Sequence, residues 1–186
     1  MKIKIFVLIM VVMILFAGCG SGSENVNPSP SPTTSAAANP DNNETKPATE
    51  EKSKYYFEYN GTAIYMNDVA KPVLDVWEEP MHYFESPSCA FQGIDRVYTY
   101  NGFELYTYTD GDDETEYIFS VVFMNDSVET NEGITIGSKL EDVISKYGDD
   151  FTQEGKKYTY TDSNTTLSFV LENDEVVEVS YNLILN

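Results

Sequence analysis

The chain has 186 residues, with 31 Asp and Glu against 11 Lys and Arg, and a formal charge of −20 at pH 7. An acidic chain with no basic cluster has nothing to neutralise a phosphate backbone, which argues against nucleic acid as a partner. Its field favours cationic partners, and its two cysteines and single histidine give little material for thiol catalysis or a closed zinc site.

Residues 1–18 read as an export signal. Lys2 and Lys4 precede an apolar run from Ile5 to Phe16 that is too short to span a bilayer as a mature helix. Leu15-Phe16-Ala17-Gly18-Cys19 closes the run and resembles the lipobox of bacterial lipoprotein signal peptides, with Phe16 standing where that pattern prefers Leu. The resemblance implies that Cys19 is the lipidated first residue of the mature chain, anchored in the cell membrane on its extracytoplasmic face. An ordinary secretory cut nearby is the alternative.

Residues 19–54 are Ser, Pro, Thr, Asn, Ala and Glu with almost no large apolar side chain, so they cannot bury enough surface to offset chain entropy. They predict a disordered tether with a reach of roughly 30 Å. If Cys19 carries a lipid, Cys89 has no partner within the chain, and the domain is expected to hold no disulfide.

From residue 55 to 186 the pattern changes to short alternating stretches rich in Tyr, Thr, Val and Phe, falling into halves of about 60–130 and 131–186. In the first half, Val69, Val73, Leu74 and Trp77 share one helical face. Pro72 shortens or delays that helix. Strands are predicted at Arg96 to Tyr100, Glu104 to Tyr108 and Tyr117 to Met124, with a loop-like insertion from Tyr83 to Gly93. In the second half, Leu140, Val143, Ile144 and Tyr147 form a helix stripe, Ser138 with Glu141 reads as a capping box, and Gly148 as the stop. Strands follow at Lys157 to Thr161, Thr166 to Leu171 and Glu175 to Tyr181. The turn signals between strands make each trio an antiparallel meander. The expected fold class is therefore α+β, with two repeats of a helix plus a three-stranded antiparallel meander.

That element order, with Gly-Ile-x-Ile-Gly-x-x-x-x-x-Val-Ile-x-x-Tyr-Gly from Gly133 to Gly148, resembles the fold of the outer-membrane assembly lipoprotein BamE and the β-lactamase inhibitory protein BLIP. Ser88-Cys89-Ala90-Phe91-Gln92-Gly93-Ile94-Asp95 followed by Tyr98-Thr99-Tyr100 is similar to lipoproteins of clostridia and related bacteria. The resemblance implies an address and a fold, and carries no activity.

A Ser-His-Asp or Cys-His arrangement would have to run through His82, the one histidine, with Cys89 as the sole thiol nucleophile, and no surrounding signature orients the pair. A Cys packed as a small hydrophobe beside Phe91 is the plainer interpretation. Asp110-Gly111-Asp112-Asp113-Glu114-Thr115-Glu116 is acidic enough for calcium but lacks the EF-hand order, and reads as a solvated hairpin turn. On their strands Tyr98 and Tyr100 share a face, as do Tyr106 and Tyr108. These tyrosines either build the core or, if Phe103, Leu105, Ile118 and Val122 do so instead, line an open docking sheet.

The expectation from sequence is a non-enzymatic lipoprotein that needs no cofactor or metal and binds an envelope protein through Tyr98, Tyr100, Tyr106, Tyr108, Cys89 and Phe91. A small ligand or cell-wall glycan is the alternative occupant. An enzyme built on Cys89 and His82 is the third hypothesis.

Overall fold

The computed structural model describes residues 52–111 and 113–185. The expected export signal, Cys19, and the expected tether as far as residue 51 lie outside the described residues, as does Asp112 of the acidic turn.

The chain enters through aromatic residues. Tyr55 and Phe57 are buried, and Phe57 opens a short hairpin of β1 (Phe57–Tyr59) and β2 (Thr62–Ile64). Asn60 and Gly61 both take positive φ, as a two-residue turn matched to strand twist requires. A one-turn helix follows, α1 (Lys71–Leu74). Four antiparallel strands come next: β3 (His82–Pro87), β4 (Ile94–Thr99), β5 (Phe103–Tyr108) and β6 (Tyr117–Phe123). Then come α2 (Leu140–Tyr147) and the strands β7 (Thr152–Glu154), β8 (Lys157–Asp162), β9 (Thr165–Glu172) and β10 (Glu175–Leu183).

Strands β3 to β10 form one eight-stranded sheet in the order β3-β4-β5-β6-β10-β9-β8-β7. β6 and β10 join its two wings, pairing Val121 with Tyr181. One face of this sheet is buried. Phe103, Leu105, Val121, Leu167, Phe169 and Tyr181 pack with Phe57 and Ile64 of the hairpin, Val73 of α1 and Val143 of α2 in a single cluster. Aromatic edges meet there, with Phe57 4.9 Å from Phe103 and Tyr147 5.4 Å from Phe169 between ring centres.

The structure corrects the expected fold class. Among the described residues strands account for 44% and helices for 9%, and the architecture is one mostly-β sheet, not two helix-plus-strand repeats. The first helix starts late because Val69 and Ala70, the first residues of its expected stretch, are claimed by the sheet. Asn67 N–H donates to the Ile118 carbonyl at 2.8 Å, Ala70 N–H to the Glu116 carbonyl at 2.8 Å, and Val69 bridges to Tyr117. Extended pairing thus outcompetes a helix that Pro72 admits only at its first turn. The Tyr83 to Gly93 insertion is not wholly a loop, since Tyr83 to Pro87 belong to β3 and only residues 88–93 connect it to β4. Each wing therefore has four strands rather than three, the short β7 supplying the last.

The second helix starts one residue later than its predicted cap. The Asp142 carboxylate accepts the Lys139 N–H at 3.2 Å, while the Ser138 hydroxyl accepts the Thr135 N–H at 3.1 Å inside the preceding turn. Gly148, at φ 83°, ends the helix as anticipated.

Candidate functional site

Strand register divides the tyrosines. β4 and β5 pair Tyr98 with Leu105 and Val97 with Tyr106, and β5 and β6 pair Leu105 with Val121 and Tyr106 with Ser120. Directly opposed residues point to the same side of a sheet. Tyr98 therefore lies on the side of the buried Leu105 and Val121, and Tyr106 on the other side.

Tyr100, two residues beyond Tyr98, is 6% exposed and stacks on Phe103 at 5.2 Å. It belongs to the core and cannot take part in docking. Tyr98 sits at the core margin in a polar network. Its hydroxyl donates to Glu116 at 2.9 Å, Glu116 also accepts the Thr107 hydroxyl, and Arg96 lies 3.6 Å from Glu116 and 3.5 Å from Glu85. Burial first, then the bond to Glu116, pushes the Tyr98 hydroxyl well above its ordinary pKa, so it stays neutral.

The opposite face carries the other aromatics. α1, α2 and the β1–β2 hairpin all pack on the core side, and none of Phe84, Val97, Tyr106 or Phe119 belongs to the buried cluster. A row of Phe84, Val97, Tyr106 and Ser120 crosses β3 to β6. A bulge in β6, where the register shifts between Tyr106 and Thr107, places Phe119 on the same side as Ser120. Phe119 lies 6.2 Å from Tyr108 and 6.0 Å from Phe91.

Phe91 reaches this face from the tight β3–β4 connection and stacks on Tyr108, ring centres 3.8 Å apart and planes 17° from parallel. It covers Tyr108, which is only 8% exposed and donates its hydroxyl to the Asn67 side chain at 2.8 Å. The connection is bent by Ser88, whose hydroxyl accepts the Phe91 N–H at 2.9 Å. It is pressed onto β5 at Gly93, where an added Cβ would lie 2.2 Å from the Thr109 carbonyl oxygen.

Toward β10 the face becomes hydroxylic. The Ser120 hydroxyl lies 2.8 Å from the Asn182 side chain, Asn182 donates to the Ser180 hydroxyl at 3.2 Å, and Thr159 and Ser168 share a bond of 3.1 Å. Tyr106 donates to Glu104 at 2.6 Å. Chemically this is an amphipathic plate, with aromatic area on β3 to β6 and internally satisfied hydroxyls beyond.

Of the residues named from sequence, the structure brings Phe91, Tyr106 and Tyr108 together on this face. Cys89 is exposed in the same connection. It is not packed beside Phe91 as a small hydrophobe. His82 opens β3 and Cys89 follows its end, so the extended strand holds them roughly 20 Å apart and they do not form a pair.

Val122, weighed with Phe103, Leu105 and Ile118 as a core residue, pairs with Glu104 and lies on the uncovered side. Phe84, Val97 and Phe119 were missed. Only the register and the bulge reveal their side of the sheet.

An open cleft of about 580 Å³ is lined by Val69, Lys71, Leu74 and Asp75 beside α1 and by residues 113–116. Lys71 already pairs with Asp75 at 2.8 Å. The Thr115 hydroxyl and N–H hold the Asp113 carboxyl below its ordinary range. Among the described residues no three His, Cys, Asp or Glu are grouped to hold a metal ion. Comparison with protein-family models, curated proteins and solved structures finds no match for this chain.

Proposed function

We propose that this chain is a lipid-anchored lipoprotein on the extracytoplasmic face of the cell membrane, and that it works without catalysis by binding an envelope protein. The aromatic half of the uncovered sheet face carries this proposal. Phe84, Val97, Tyr106 and Phe119 stand outside the buried cluster, with Phe91 fastened beside them by the β3–β4 connection. Rigid aromatic side chains give contact area at low entropic cost, and the acidic surroundings favour a basic partner.

The test is cross-linking in intact cells followed by recovery of the full chain. A specific envelope protein should co-purify. Paired substitutions Tyr106→Asp and Phe119→Asp should abolish its recovery, while Lys146→Glu on exposed α2 should not. Recovery that survives the paired face substitutions would sink the proposal.

A cell-wall glycan is the second candidate, favoured by the Tyr106 ring held beside the Glu104 carboxylate, which also accepts the Thr99 hydroxyl at 3.3 Å. A glycan array separates the two, since the protein-binding reading predicts no saturable glycan signal.

A further inference from the structure

The sheet ends in two unlike edges. β7 is three polar residues, Thr152-Gln153-Glu154, all exposed, and it offers little to a neighbouring strand. β3 is six residues long, carries no lysine, and leaves Phe84 64% and Tyr83 50% exposed, with Met81 just before it at 62%. Natural edges of this length are usually blunted by charge, a bulge or a cover. Among the described residues, Glu85, which is tied to Arg96, and Pro87 at the far end are what blunts this edge.

The direction of the free backbone groups follows from hydrogen bonds at the end of the strand. Ser88 N–H donates to the Gly93 carbonyl at 2.9 Å, which makes that pair hydrogen-bonded. By alternation His82, Phe84 and Ser86 direct their groups to β4, and Tyr83 and Glu85 turn theirs outward.

We propose that β3 is a self-pairing edge, joining two copies of this chain antiparallel about a two-fold axis at Phe84. In that register Tyr83 of each copy lies opposite Glu85 of the other, so both outward N–H groups and both outward carbonyls find partners. A shift one way opposes Glu85 to Glu85 and asks Pro87 for an N–H it lacks. A shift the other way opposes Tyr83 to itself and sets Glu85 against Met81. The central register alone opposes Phe84 to Phe84, while each Glu85 carboxylate keeps the Tyr83 hydroxyl and Arg96 of its own copy.

Strand addition of this length makes a small, transient interface. Each copy carries a charge of −20, so added salt, which screens that repulsion, should strengthen the pairing. Self-pairing would join two uncovered faces into one continuous surface, whether or not an envelope protein binds there.

Disulfide trapping of the full chain in intact cells tests this, with Cys89→Ser as background and diamide as the added oxidant. Phe84→Cys places two thiols in a directly opposed, non-hydrogen-bonded pair, within disulfide reach. Glu85→Cys places them roughly 8 Å apart at the Cα atoms, beyond it. The expected result is a covalent dimer for Phe84→Cys, and only the background level for Glu85→Cys. Adding Glu85→Pro to Phe84→Cys should suppress the dimer, because it removes an outward N–H and spares those directed to β4. No dimer above background for Phe84→Cys, or equal trapping at residues 84 and 85, would overturn the proposal.

Discussion

Leu105 and Tyr106 are adjacent in the chain and lie on opposite sides of the sheet, one wholly buried and the other half-buried on the uncovered face. Burial, then the bond to Glu104, pushes the Tyr106 hydroxyl up to about 12, against about 10 in an unfolded chain. A raised folded-state pKa means the native state holds its proton longer. The associated stability is complete below the unfolded value and is lost as pH rises through the folded one. Denaturant unfolding followed from pH 9 upward should therefore show stability falling between about pH 10 and about 12. Tyr106→Phe should make that fall shallower without removing it, because Tyr98 and Tyr160 are also shifted upward. An unchanged slope in Tyr106→Phe would contradict the assigned environment.

At the level of elements, the β3–β4 hairpin is held by one close backbone approach. Gly93 lies against Thr109, and the Ile94 N–H donates to the Thr109 hydroxyl at 2.9 Å. A methyl group at 93 meets a backbone carbonyl that cannot rotate away. Gly93→Ala should cost about 1–3 kcal/mol of stability, the usual range for overpacking, and lift Phe91 from Tyr108. Thermal melting and the near-ultraviolet aromatic signal check the two effects separately.

The elements themselves were unequally legible. Period-2 alternation located six of the strands to within a few residues, and the Leu140 stripe with Gly148 located α2. β3 was missed because His82-Tyr83-Phe84-Glu85 lacks alternation and ends in Pro87. The α1 stripe misled because Val69 and Trp77 keep helical spacing while backbone bonds to β6 draw Asn67 to Ala70 into extended pairing. Local pattern records side-chain preference, and a strand competing for the same backbone groups leaves no mark in it.

For the whole molecule, the proposed anchor and the strong negative charge set how the domain is presented. Cys19→Ala should move the full chain from the membrane fraction to the soluble or secreted fraction, as read by fractionation and immunoblotting. Continued membrane retention that resists salt and alkali washing would contradict lipid attachment at that residue. The charge opposes close approach of two copies and favours basic partners, so both proposed associations should respond to salt, in opposite directions.

Sequence alone determined the features that depend on composition or on one short segment. These are the apolar run closed by Cys19, on which the proposed anchor rests, the low-complexity stretch after it, the acidic balance, and the positions of the longer strands. Tertiary structure alone decided which face each tyrosine serves, that the wings merge into one sheet, and that β3 ends it as an open edge. The physical reason is pairing. A side chain's direction along a strand follows from its own parity, but which parity faces the core is set by register with strands many residues away. A single bulge, as at Phe119, is enough to change it.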